Sequence, residues 1–197
     1  MTLAITGATG FVGQALLDAA GRAGTPVRAL TRRPQEQRKG VEWVEGGLSD
    51  KDALARLTKG STAVIHVAGL TNTPDLRQFE QANVAGTLAL LDTAREAGVG
   101  RLVFVSSLSA REPALSAYGA SKARAEDHVT ASGLDWSVVR PPAVYGPRDR
   151  DMFELFRSAK FGVVPLPPRG RTSLIHVDDL AECLLALVPG EIGRAHV

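Results

Sequence analysis

The apolar residues of this chain gather in short continuous runs, and helical periodicity fills the stretches between them. Thr2-Leu3-Ala4-Ile5-Thr6 is such a run, and past Gly7–Gly13 a helical stripe takes over through Ala15, Leu16, Leu17 and Ala20. Val27-Arg28-Ala29-Leu30-Thr31 reads as a second strand. Further runs stand at Ala63–Ala68, Arg101–Ser106 and Trp136–Arg140, preceded by helical stretches at Asp50–Lys59, Phe79–Ala97 and Ala117–Thr130. An apolar helix follows at Leu180–Val188. Strands alternating with helices predict right-handed βαβ crossovers, hence an α/β fold with a doubly wound parallel sheet and helices on both faces. The strand runs are apolar throughout, as burial on both faces requires. Such sheets bind ligands beyond the carboxyl ends of their strands. Gly7–Gly13, His66-Val67-Ala68-Gly69 and Ser106-Ser107 therefore converge there.

The segment Gly7-Ala8-Thr9-Gly10-Phe11-Val12-Gly13 sits between strand and helix, where a phosphate cradle belongs. Glycines permit the tight turn and let backbone N–H groups approach a pyrophosphate at the helix N-terminus, where the macrodipole favours anions. The spacing is GxxGxxG rather than the GxGxxG of the commonest dinucleotide fingerprint. An NAD site usually places a carboxylate at the end of the second strand; here Arg32-Arg33-Pro34 stands in that place. Two guanidiniums suit a 2′-phosphate, so NADP is the preferred cofactor over NAD. The competing reading is a solvated basic loop, since Arg38 and Lys39 follow.

Tyr118-Gly119-Ala120-Ser121-Lys122 lies eleven positions after Ser107. A tyrosine and a lysine four apart share one helix face. The ammonium is therefore expected beside the phenol, lowering its pKa from about 10 and making Tyr118 a proton carrier near neutral pH. The bland alternative is a packed tyrosine and a solvated lysine.

With 197 residues, 44% hydrophobic and 22% charged, the chain suits one globular domain with a substantial core. A net charge of +2 gives no case for nucleic-acid binding. Cys183 is the only cysteine, which excludes an intrachain disulfide and fits a reducing cytoplasm. No stretch is long enough to cross a bilayer, so no membrane association is expected, and Met1 leads straight into a strand. With one Cys and scattered His, no metal site is expected.

Together these motifs resemble the extended short-chain dehydrogenase/reductase family of NAD-dependent epimerase/dehydratase type. The resemblance also rests on Asn83-Val84-Ala85-Gly86-Thr87, Val103-Phe104-Val105-Ser106-Ser107, Arg140-Pro141-Pro142-Ala143-Val144-Tyr145-Gly146-Pro147 and Ile175-His176-Val177-Asp178-Asp179-Leu180-Ala181. It implies a Rossmann-like fold and an NAD(P)-dependent oxidoreductase that transfers hydride at a secondary alcohol or carbonyl of a small-molecule substrate, with a nucleotide sugar as one candidate. Tyr118 would be the acid/base, Lys122 would hold the nicotinamide ribose and lower the phenol's pKa, and Ser107 would orient the substrate oxygen, with Ser106 the alternative for that role. Asn83 would position the lysine through ordered water. The cofactor would be held by Gly7, Thr9, Gly10, Phe11, Val12, Gly13, Arg32, Arg33, Leu48, Ala68, Gly69 and Lys122. One departure is Gly47, where the family usually has an aspartate before the adenine-contacting leucine. Relatives commonly dimerise through helices corresponding to 79–97 and 117–130, which makes a homodimer a candidate assembly.

Residues 1–140 are expected to form the cofactor domain and 141–190 a partial substrate lobe integrated with it. Glu191-Ile192-Gly193-Arg194-Ala195-His196-Val197 matches the translation of GAG ATC GGA AGA GCA CAC GTC, a common short-read sequencing adapter whose next bases are a stop codon. Residues 191–197 are accordingly expected to be a non-native tail. His66, His176, Trp43 and Trp136 read as packed residues. Asp178 and Asp179 are expected to include a helix N-cap. Arg140 either closes the cleft or ends its strand, and Arg148 to Arg157 suits an anionic substrate or a solvated helix start. The reading from another functional class is a non-catalytic NADP(H)-binding regulatory or assembly protein.

Overall fold

The computed structural model describes residues 2–162 and 173–189. Strand β1 (Leu3–Thr6) leads into α1 (Phe11–Arg22), followed by β2 (Val27–Thr31), β3 (Val41–Glu45) and α2 (Lys51–Thr58). After β4 (Ala63–His66), α3 (Arg77–Phe79) runs through a π-helical turn at Glu80–Ala85 into α4 (Gly86–Glu96). Then come β5 (Arg101–Val105), two 3₁₀ turns at Leu108–Arg111 and Pro113–Leu115, α5 (Ala117–Thr130) and β6 (Asp135–Val139). The chain continues through β7 (Ala143–Tyr145), α6 (Asp151–Lys160), β8 (Leu174–His176) and α7 (Val177–Ala186). The tail at 191–197 lies outside the described residues.

Six strands pair in parallel in the order β3-β2-β1-β4-β5-β6. Strand alternation sorts the apolar residues into two cores. Leu3, Ile5, Ile65 and Val103 face α1 and α7, meeting Leu16, Leu17, Leu180 and Leu184. Ala4, Val64, Leu102 and Phe104 face α2, α4 and α5, meeting Leu54, Leu57, Leu90, Leu91 and Val129. Hydrophobic burial on both faces therefore drives the sheet and its helical layers together.

Three elements depart from expectation. Strand β3 was not foreseen: only Val44 of its five residues is buried, so it carries little apolar signal. The helix expected over Phe79–Ala97 contains the π-helical turn around Asn83. The cap of α7 is His176 rather than an aspartate, its Nδ1 accepting the N–H of Asp178 at 3.3 Å. Helix α7 is pinned at its far end by Arg101, which is buried. Its guanidinium donates to the Leu187 carbonyl (3.0 and 2.9 Å), Asp135 (2.9 Å) and Ser137 (2.6 Å). Cys183 is half-buried in this helix.

Candidate active site

Strand order reverses between β1 and β4, and at that switch point the two strand ends touch. Gly7 has φ +72, and a Cβ on it would lie 2.6 Å from the Ala68 backbone nitrogen. A Cβ on Gly13 would lie 2.1 Å from the Gly7 carbonyl oxygen. Both glycines are thus required by the turn itself. Gly10 caps α1 without a side-chain hydrogen bond, and the first turn of α1 holds no acidic residue. Thr9 and Gly10 are exposed, with Phe11 and Val12 half-buried behind them. The helix therefore presents open N–H groups and its positive dipole end, which fits the pyrophosphate of a dinucleotide.

The other expected cofactor residues stand along the same edge. Arg32 and Arg33 follow β2 and are exposed, whereas Arg38 is committed to Asp18 (2.6 Å) and Gln14 (3.3 Å). Arg148 reaches the same Asp18 at 2.8 Å. Partial burial opposes ionisation of Asp18, but hydrogen bonds from Arg148 and Arg38 hold its carboxyl below the usual range. Leu48 packs against α4 so closely that a Cβ on Gly86 would lie 2.8 Å from it. Asp50 caps α2 through the Ala53 N–H at 3.0 Å and does not stand in for the aspartate missing at Gly47.

Helix α5 places Tyr118 and Lys122 one turn apart, beginning at the Ser116 cap, whose hydroxyl accepts the Gly119 N–H at 2.9 Å. The Ser107 hydroxyl accepts the Ser109 N–H at 3.2 Å and lies near enough to the Tyr118 phenol to favour its ionised form. Lys122 is buried; its Nζ donates to the Val105 carbonyl at 2.8 Å and lies 4.3 Å from the centre of the Phe104 ring. Burial brings the lysine down to about 8, with Glu126 opposing the fall. The expected depression of the tyrosine does not occur. Burial pushes the phenol above its ordinary value, outweighing the Ser107 hydroxyl, because the ammonium is directed at Val105 rather than at the phenol oxygen. Tyr118 is therefore neutral in this state.

Ser106 is not available as the alternative to Ser107. It is buried and its hydroxyl donates to Glu126. Arg140 follows β6, and its Nε donates to both Glu126 oxygens at 3.0 and 3.1 Å. Asn83 reaches α5 directly. Its amide donates to Ser121 Oγ (2.9 Å) and the Leu70 carbonyl (3.0 Å), and its oxygen accepts the Leu70 N–H (2.7 Å). This ties the loop after Gly69 to α5, and a π-helical turn at such a place is a common functional device.

Behind this edge lies a buried hydrogen-bond chain whose direction is fixed. Thr87 donates to the Asn83 carbonyl at 2.6 Å, so its oxygen must accept from His66 Nε2 at 2.9 Å. His66 Nδ1 then accepts from Thr6 at 2.6 Å, and the Thr6 oxygen accepts the Ala68 N–H at 3.2 Å. Burial, helped by the Lys122 charge, takes His66 to about 3, so the ring stays neutral. Sequence reasoning placed His66 in the core but missed the chain. The signal was Thr87, one helical turn past Asn83.

A parallel sheet with a glycine turn at its switch point, an open helix N-terminus and a serine, a tyrosine and a lysine at the same edge defines a Rossmann-like fold. Residues 3–194 match the model of the NAD dependent epimerase/dehydratase family, and the chain belongs to that family. It is 45% identical over 190 residues to the ceramide reductase of Caulobacter vibrioides, covering 93% of this chain and 60% of that protein. It is 27% identical to the UDP-glucose 4-epimerase of Vibrio cholerae, covering 95% of this chain and 66% of that one. Among solved structures, MoeE5 in complex with UDP-glucose and NAD superposes with a TM-score of 0.84 at 29% identity, covering 100% of this chain and 74% of that chain. DesIV, the dTDP-glucose 4,6-dehydratase of Streptomyces venezuelae with NAD and TYD bound, gives 0.82 at 27% identity, covering 100% and 75%. The chain thus spans about 60% of the length of the curated reductase it matches. Among the described residues, no helix is long and apolar enough to cross a membrane, and no group of three or more His, Cys, Asp or Glu could hold a metal ion.

Proposed function

We propose that the protein is an NADP(H)-preferring oxidoreductase that reduces a ketone on a largely apolar small molecule to a secondary alcohol. The observation that carries this reading is the Ser107–Tyr118–Lys122 group, with the phenol held in its proton-bearing state beside a buried lysine. Reduction of a carbonyl needs a proton donor at the oxygen that gains charge, and Tyr118 is poised as that donor. Ser107 can donate to the same oxygen and orient it. For Lys122 to stabilise the phenolate that the proton transfer leaves behind, its Nζ must turn from the Val105 carbonyl towards the phenol oxygen. A nicotinamide cofactor supplies the hydride when bound.

The Gly7–Gly13 turn and the N-terminus of α1 would hold the cofactor's pyrophosphate, Arg32 and Arg33 its 2′-phosphate and Leu48 its adenine. Ala68, Gly69 and Lys122 would face the nicotinamide end. Two observations favour an apolar ketone over a nucleotide sugar. Leu108, next to Ser107, is 40% exposed, and Leu115, three residues before Tyr118, is 82% exposed. An approach over these two leucines would have an apolar rim. The curated relative at 45% identity is, moreover, a ceramide reductase.

The test gives the protein NADPH with a long-chain 3-ketolipid and follows nicotinamide absorbance. In parallel it gives the protein NAD with UDP-glucose and follows the epimerised sugar nucleotide by chromatography, because epimerisation is redox-neutral. The reading expects oxidation of NADPH with the ketolipid. It also expects NADPH to be preferred over NADH by about tenfold or more, a preference that R32A/R33A removes. Epimerisation of the sugar nucleotide without ketone reduction, or a preference for NADH, would overturn it.

A further inference from the structure

Tyr118, Lys122 and Glu126 stand four residues apart on one face of α5. They face three consecutive residues at the end of β5: Lys122 Nζ donates to the Val105 carbonyl, the Glu126 carboxylate accepts from the Ser106 hydroxyl, and the Tyr118 phenol lies near Ser107. The carboxylate contact is anchored from the next strand, where Arg140 at the end of β6 donates to both oxygens of Glu126. Glu126 is buried, and so are Ser106 and Lys122. Successive residues of an extended chain point to opposite sides, so fixing Ser106 on Glu126 sets the direction in which Ser107 leaves the strand.

We propose that Glu126 is a positioning residue of the active site: it sets the pitch of α5 against β5 so that Ser107 meets Tyr118, and it is the counter-charge of the Lys122 ammonium. The proposal rests on the reading of Ser107, Tyr118 and Lys122 as the acid/base group. The sequence disguises it, because a glutamate four residues after a lysine on a helix reads as an ordinary surface ion pair. A surface pair would contribute little. This carboxylate is buried, doubly bound by a guanidinium, and one helical turn from the lysine.

Among the described residues, the titratable and charged groups facing Lys122 are Tyr118 and Glu126 on its own helix, His66 on β4 and Arg140 at the end of β6. His66 and Tyr118 are neutral near pH 7. The charged group that acts on the lysine is therefore Glu126, and Arg140 bears on it through that carboxylate. Removing the carboxylate withdraws the counter-charge. Removing the guanidinium leaves that counter-charge to the lysine alone.

The experiment is a titration of the Lys122 side chain by NMR in cofactor-free protein carrying ¹³C-lysine, with the resonance assigned through K122R. Wild type is expected to titrate near 8. E126Q, which keeps one acceptor oxygen where Ser106 and Arg140 Nε both donate, should titrate lower by about one pH unit, and R140Q should titrate higher. The alkaline limb of turnover should move the same way in each variant. A glutamate that merely holds the helix in place would, on loosening, let Lys122 rise towards its solution value in both variants. An unchanged titration in E126Q, or shifts of the same sign in both, overturns the proposal. If E126Q does not fold, R140K decides: it keeps the charge on Glu126, so Lys122 should titrate near its wild-type value, and a rise there like that of R140Q would mark mere loosening and overturn the proposal. Because the titration needs no substrate, loss of the enzymatic reading would show as absent turnover with the opposed shifts intact.

Discussion

Acid should unfold this protein through one histidine. His66 is neutral in the folded state because every partner is already assigned: Nδ1 accepts from Thr6 and Nε2 donates to Thr87, whose own proton goes to Asn83. An imidazolium would need an acceptor at Nδ1, which the Thr6 hydroxyl can supply only by giving up its present hydrogen bond. The folded ring titrates at about 3 against 6.5 when unfolded. A histidine with a depressed folded pKa contributes stability that is fully present above about 6.5 and is lost as pH falls towards 3. The full difference corresponds to about 5 kcal/mol, of which about 2 kcal/mol is gone by pH 5. His66→Gln preserves one acceptor and one donor but cannot bind the proton. Urea midpoints of cofactor-free wild type and variant at pH 7 and pH 5 should therefore diverge. Wild type should lose about 2 kcal/mol more than the variant between the two pH values, whatever the substitution itself costs at pH 7. Lys122 does not contribute in this window, since it is protonated below its value of about 8 in both states. Equal losses would refute the neutral, directional chain.

Two further outcomes follow from the packing. Gly7→Ala forces an L side chain into φ +72 and puts a Cβ 2.6 Å from Ala68 N, so it should lower stability by roughly 2 kcal/mol or more and abolish NADPH binding. Thermal melts and nicotinamide fluorescence would check both parts. Arg101→Met leaves the Leu187 carbonyl without its buried donors and should cost roughly 2–4 kcal/mol in chemical denaturation.

Local patterns made much of this architecture legible in the sequence. The apolar runs became β1, β2, β4, β5 and β6, and α5 spans Ala117–Thr130 as its pattern predicts, because burial on both sheet faces writes itself directly into the chain. Strand β3 was invisible because its outward residues Glu42 and Glu45 dilute the apolar signal at a sheet edge. The π-helical turn at Glu80–Ala85 shifts hydrogen bonds without any change in composition that would announce it. At the site, residue types and spacing brought out Ser107, Tyr118 and Lys122, but not the direction in which Tyr118 is shifted. That direction depends on Lys122 Nζ reaching the Val105 carbonyl, a contact made between α5 and β5. The engagement of Ser106 by Glu126 is equally tertiary, which is why Ser106 and Ser107 could not be told apart along the chain.

The most direct test of the account compares wild type with Tyr118→Phe, measuring NADPH affinity by nicotinamide fluorescence and ketone reduction by NADPH oxidation. Removal of the phenolic proton should lower turnover by roughly 10²- to 10⁴-fold while leaving the affinity for NADPH within a few-fold of wild type. Wild-type turnover in the variant would contradict the assignment of Tyr118 as the proton donor.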